Sequence, residues 1–124
     1  MTRVGTDIIE VSRIARAIAN WNSDFLQRVF TEAEIEKIDA ANPDAQRAAG
    51  FWAAKESIVK ALGCGFRNGV RFHDIEVTHD EYGCPGFIFS GVLKTMLEKQ
   101  GINHISLSIS HCRSYAIAVT LISS

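Results

Sequence analysis

A strand-like run opens the chain at Thr2–Glu10, and one residue breaks its pattern. Asp7 stands inside Val4-Gly5-Thr6-Asp7-Ile8-Ile9, where a strand would take another hydrophobe. The period then lengthens. Ser12 reads as the N-cap of an amphipathic helix with Ile14, Ala15, Ile18 and Ala19 on one side and Arg13 and Arg16 on the other. A short piece over Asp24–Phe30 follows, and Thr31-Glu32-Ala33-Glu34 has the form of a capping box, so a second helix begins there and ends near Asn42-Pro43. Pro43 suits the first turn of a third, long helix that runs to Leu62 and stops at Gly63 and Gly65.

Beyond the glycine-rich stretch 63–69, Asp74–Thr78 alternates as a strand, Glu81–Gly86 is a turn, and Phe87–Phe89 returns as the paired strand. A helix over Gly91–Gln100 precedes two more alternating runs, His104–Ser110 and Tyr115–Ile122, joined tightly through His111-Cys112-Arg113-Ser114. Helices dominate the first half and antiparallel strands the second, which predicts an α+β fold: an antiparallel sheet packed against a long central helix and shorter N-terminal helices. The glycines near position 63 follow a helix, not a strand, so they fail the context test for a dinucleotide fingerprint or a P-loop. With no repeat or linker, residues 1–124 are expected to form one domain.

The central helix carries the strongest chemical pattern. At about 100° per residue, Phe51, Trp52, Ala54, Ile58, Val59, Ala61 and Leu62 fall on one broad apolar side, while Glu56, Ser57 and Lys60 share a polar arc. Lys55 projects near the middle of the apolar arc and is expected to snorkel outward.

Composition narrows the function classes. Hydrophobic residues make up 47% of the chain, which excludes disorder, and a net charge of −1 from 13 basic and 14 acidic side chains provides no global field for nucleic acid or an anionic membrane. An anionic ligand must therefore be met locally. No apolar run approaches the ~20 residues of a membrane span, and Asp7 interrupts any signal-peptide core, so a cytoplasmic location is expected. Three widely spaced cysteines, Cys64, Cys84 and Cys112, argue against a disulfide framework or a structural zinc site. The four histidines show no paired metal spacing.

Magnesium takes one or two protein carboxylates and fills its remaining positions with water and substrate phosphate oxygens, because it gives up its hydration shell reluctantly. Asp7 and Glu56 are the right number. Lys60, one turn beyond Glu56, would place its ammonium on a diphosphate that the metal also touches, and backbone N–H groups of the Gly63–Gly69 loop would add anion contacts. Ser110-His111-Cys112-Arg113 offers hydroxyl, imidazole and guanidinium groups to the same ligand. Ordinary structural roles compete with each assignment. Glu56 and Lys60 also fit a solvated i, i+4 ion pair, Asp7 a helix cap or an arginine partner, His111 a surface turn, and Gly63 with Gly65 a helix stop.

Three ordered segments decide between these readings: Gly5-Thr6-Asp7-Ile8-Ile9-Glu10-Val11, Phe51-Trp52-Ala53-Ala54-Lys55-Glu56-Ser57-Ile58-Val59-Lys60-Ala61-Leu62-Gly63, and Ser108-Ile109-Ser110-His111-Cys112-Arg113-Ser114-Tyr115-Ala116. In order, spacing and total length the chain closely resembles the holo-[acyl-carrier-protein] synthase family, the small phosphopantetheinyl transferases, from about residue 3 onward. The resemblance implies transfer of 4′-phosphopantetheine from coenzyme A to a serine of apo-acyl carrier protein, with release of adenosine 3′,5′-bisphosphate, in the service of fatty-acid synthesis. By matching positions, Asp7 and Glu56 would bind magnesium, Lys60 would hold the coenzyme A phosphates and His111 would line the nucleotide pocket. The serine proton would go to Glu56 or to a metal-associated water. Arg13, Arg16 and Arg28 become candidates for docking an acidic carrier. Members of the family are similar in forming trimers with active sites between subunits.

Two departures stand out. Phe51 sits where many members carry an arginine for the ribose phosphate, leaving Arg47 or Arg67 to compensate, and Asp24 sits where some carry a docking base. A non-catalytic trimeric module that binds coenzyme A or a nucleotide is the rival reading.

Overall fold

The computed structural model describes residues 1–124. Thr2–Glu10 form β1, and the chain passes without a loop into α1, Val11–Val29. Glu10, not Ser12, is the residue before the first helical turn, and it makes no side-chain cap. The piece expected at Asp24–Phe30 is the second half of α1, which bends at Asn22, where φ is 48° and ψ −123°. Val11 and Ile14 are buried and Ile18 half-buried, whereas Ala15 and Ala19 are exposed, so the core stripe is narrower than expected.

The Thr31 capping box forms as predicted. Glu34 N–H donates to Thr31 Oγ1 at 3.3 Å and Thr31 N–H to Glu34 Oε1 at 2.9 Å, starting α2, Glu32–Ile38. This helix stops short of Asn42, at Asp39, whose φ of 76° turns the chain away. Helix α3, Ala45–Leu62, starts after Pro43 because Asp44 is its cap, its Oδ1 accepting from Arg47 N–H at 3.1 Å. Gly63 closes the helix in the left-handed region at φ 75°, with Cys64 N–H returning to the Val59 carbonyl.

A 3₁₀ turn at Phe72–Asp74 leads into β2, Ile75–His79, which pairs antiparallel with β3, Pro85–Phe89. After α4, Gly91–Lys99, the strands β4, His104–His111, and β5, Tyr115–Ser123, complete a three-stranded antiparallel sheet in the order β1-β5-β4. The α+β expectation holds, with α3 lying across β1 and β5.

That packing depends on one glycine. A Cβ on Gly5 would stand 2.1 Å from the Ser57 carbonyl oxygen and 2.5 Å from the Ala61 nitrogen, both backbone atoms. Ser57 faces the sheet too, its hydroxyl 2.6 Å from Thr120 Oγ1, so it leaves the polar arc assigned to it. Gly5→Ala is expected to cost at least about 2 kcal/mol in urea unfolding, since neither main chain can yield cheaply. An unchanged midpoint would refute the contact.

Lys55 is fully buried rather than snorkelling. Its Nζ lies 2.7 Å from Glu34 Oε1 and donates to the carbonyls of Val29 at 2.9 Å, Phe72 at 3.1 Å and Ile75 at 2.8 Å. Glu34 Oε2 in turn accepts from Val77 N–H at 2.7 Å. A long stem reaches outward only when no better acceptors lie within, and here a helix end, a turn and a strand present theirs at one point. Burial pushes the Lys55 ammonium below its ordinary pKa, and the Glu34 carboxylate opposes that shift.

Candidate active site

Alternation along β1 turns Gly5, Asp7 and Ile9 toward α3, where the first and last of these are buried. Asp7 thereby meets the helix face carrying Glu56 and Lys60. Lys60 Nζ lies 2.9 Å from Asp7 Oδ1, with Asp7 12% and Lys60 52% exposed at their side chains. Asp7 Oδ2 is buried and has no hydrogen-bond partner. Burial raises the Glu56 pKa, the neighbouring Asp7 carboxylate raises it further, and Lys60 opposes both. The two acids, 49 positions apart in sequence, are both half-buried and close enough for the charge of Asp7 to act on Glu56.

An orphaned carboxylate oxygen beside a second carboxylate strained by like charge suits a hard divalent cation. No group of three or more His, Cys, Asp or Glu side chains is placed to hold a metal ion. Two carboxylates leave most of a magnesium coordination sphere to water and phosphate oxygens, which is this ion's ordinary preference. Gly63 and Gly65 follow within two turns of Lys60, both at positive φ.

His111 lies elsewhere. With Ile105, Leu107 and Ile109 it occupies the α3-facing side of β4, at the strand's end, where it borders a cavity of about 580 Å³ together with Lys37, Arg47, Phe51 and His79. None of Asp7, Glu56 and Lys60 borders that cavity. Arg47 and Glu56 are nine residues apart on α3, about 13 Å along the axis and half a turn around it. Ser110 points to the opposite face of the sheet, paired with Ile117. Of the two arginines weighed as compensating for Phe51, Arg47 lines the cavity, while Arg67 Nε donates to the Cys64 carbonyl at 2.9 Å.

Arg13, Arg16 and Arg28 are exposed and form no ion pair. Arg28 borders a shallow groove with Phe66 and Arg71, and Asp24 is exposed on α1. Sequence reasoning missed Lys37 and His79. Neither carries a local signal, because α2 and β2 bring them together only in the folded chain.

The sequence profile of the 4′-phosphopantetheinyl transferase superfamily matches residues 3–120. The holo-[acyl-carrier-protein] synthase of Thermoanaerobacter sp. (strain X514) is 48% identical over 118 residues, covering 95% of this chain and 84% of that protein. That of Vibrio parahaemolyticus is 41% identical, covering 98% and 96%. Among solved structures, the synthase of Neisseria meningitidis superposes with a TM-score of 0.89 at 34% identity, covering 98% of each chain. The Helicobacter pylori synthase, solved in complex with coenzyme A, gives 0.85 at 31%, covering 97% of this chain and 99% of its own. The convergence of Asp7, Glu56 and Lys60 and these likenesses lead to one conclusion: the chain belongs to the 4′-phosphopantetheinyl transferase superfamily, among the holo-[acyl-carrier-protein] synthases.

Proposed function

We propose that this single-domain chain is a magnesium-dependent holo-[acyl-carrier-protein] synthase, moving 4′-phosphopantetheine from coenzyme A to a serine of apo-acyl carrier protein and releasing adenosine 3′,5′-bisphosphate. The observation that carries the reading is the unpartnered Asp7 Oδ2 beside Glu56 and Lys60. Asp7 and Glu56 would hold magnesium, which supplies charge neutralisation at the diphosphate. Lys60, now 2.9 Å from Asp7 Oδ1, would add a second positive charge there. The half-buried Glu56 carboxylate, its pKa raised, would serve as the base for an incoming serine hydroxyl. Gly63 and Gly65 lie where backbone N–H groups would meet a phosphate.

Arg47, Lys37 and His111 suit the nucleotide end of coenzyme A. Because their cavity and the carboxylates lie on opposite sides of α3, one extended substrate is best served by two copies of the chain, with Ser110 on the side a neighbour would cover. The outer sheet face supports assembly into a homotrimer: Val4 is 59% and Ile8 63% exposed, and Ile117, Val119 and Leu121 continue the apolar patch. Ile8→Glu is expected to shift sedimentation toward monomer and to lower activity with it. A fully active monomer would end the shared-site reading. Arg13, Arg16 and Arg28 would meet an acidic carrier in a cytoplasmic fatty-acid pathway; no helix is long and apolar enough to cross a membrane.

Incubation with coenzyme A, magnesium and apo-carrier, read by mass spectrometry of the carrier, tests the proposal. A gain of one phosphopantetheine mass is the expected result. Tight coenzyme A binding without that gain would instead mark a non-catalytic module, the reading favoured by Phe51 in the cavity wall.

A further inference from the structure

The cavity beside His111 gathers cationic and imidazole groups from four elements. Lys37 comes from the last turn of α2, Arg47 from the first turn of α3, His79 from the end of β2 and His111 from the end of β4. Asp44 is the one carboxylate in its wall, and its Oδ1 already accepts from Arg47 N–H. Neither Lys37 nor Arg47 forms an ion pair. Two unpaired cations held in one concave space favour an anion.

Lys37 and His79 make an unusual contact: Lys37 Nζ lies 3.3 Å from His79 Nδ1. An ammonium only donates, so this bond exists when Nδ1 carries a lone pair and the neutral ring keeps its proton on Nε2. Partial burial, Lys37 and Arg47 together hold the imidazole below its ordinary pKa, while Asp80 beyond β2 opposes them. The Phe51 ring, 5.9 Å from the imidazole centroid, walls the pair from the helix side.

We propose that Lys37 and His79 form a proton-coupled hook for a phosphate monoester: the entering dianion draws the Lys37 ammonium off Nδ1, and His79 takes one proton from solvent there and binds as imidazolium. No covalent bond forms or breaks. The inference rests on the reading that the nucleotide end of coenzyme A occupies this cavity. Binding is then accompanied by proton uptake, largest between the lowered pKa of the free imidazole and the raised pKa of the bound one. Uptake vanishes at more acidic pH, where the free ring is already charged, and at more alkaline pH, where the bound ring is neutral.

Isothermal titration of the intact protein with adenosine 3′,5′-bisphosphate tests this, run near neutral pH in buffers of different ionisation enthalpy, with inorganic phosphate in a parallel arm. Wild type is expected to take up measurably more protons per ligand than His79→Gln. The affinity of His79→Gln should fall about tenfold near pH 6 and approach wild type near about pH 9. Tighter binding of the nucleotide than of inorganic phosphate supports a nucleoside-linked occupant, and equal binding with the same uptake supports the hook with the free ion. Equal proton uptake in wild type and His79→Gln, while Lys37→Ala and Arg47→Ala still weaken binding, overturns the hook and leaves the nucleotide reading standing. Bisphosphate binding indifferent to both Lys37→Ala and Arg47→Ala overturns the nucleotide reading of the cavity and the hook with it.

Discussion

Lys55→Met alone is expected to lower the unfolding free energy by about 3–5 kcal/mol, because it leaves the Glu34 carboxylate enclosed without its countercharge. The loss has two parts. Glu34 keeps the Thr31 and Val77 N–H groups but loses its ammonium, and the carbonyls of Val29, Phe72 and Ile75 lose a shared donor. Glu34→Gln should cost a comparable amount by leaving the ammonium insufficiently compensated. The double variant should cost well below the sum of the two, because it no longer buries a lone charge. Urea unfolding in a double-mutant cycle measures the coupling directly. A Lys55→Met protein within about 1 kcal/mol of wild type would mean that solvent reaches Glu34 after all. The pair ties the end of α1, the start of α2, the middle of α3 and the start of β2 to one point, so its failure should loosen the frame that carries Glu56 on the next helical position.

Asp7→Asn and Glu56→Gln should separate activity from stability. Each is expected to lower kcat/KM by about a thousandfold or more, since each removes half of the anionic pair that would hold the cation. Glu56→Gln should not lower the thermal midpoint, and a slight rise is expected, because a carboxylate disfavoured by burial and by Asp7 gives way to a neutral amide. Magnesium should raise the wild-type midpoint by mass action and fail to raise that of either variant. Turnover by Glu56→Gln at the wild-type rate would end the assignment of these carboxylates, whatever its stability.

Asp7 was legible because an acid inside a strand violates the strand's own pattern, and the Glu56–Lys60 face because helical period places them together opposite apolar neighbours. The Thr31 box and the Gly63 stop were readable for a related reason: caps are local, formed among residues three or four apart. Lys55 was not readable. Whether a long cationic stem turns outward or inward depends on acceptors supplied by α1, α2 and β2, and none of these adjoins it in sequence. Ser57 failed in the same way, since its partner Thr120 arrives from the far end of the chain. The unity of α1 was hidden by the bend at Asn22, whose non-helical backbone interrupts the helical period between the two halves. Residue chemistry alone groups His111 with the carboxylates; strand parity puts His111 and Asp7 on the same face of the sheet, and it is helix phase along α3 that turns Glu56 away from the cavity His111 borders.

Gly5 has a consequence that reaches the reaction centre. With no side chain between them, β1 and α3 touch main chain to main chain, two residues before Asp7 and at Ser57, the residue after Glu56. The width of the gap between the paired acids is therefore gauged by covalent backbone rather than by interdigitated hydrocarbon. Repacking or thermal breathing of the interior can change the tension on that gauge without resetting it, and the spacing required for a small, rigidly hydrated ion is insulated from drift elsewhere in the core.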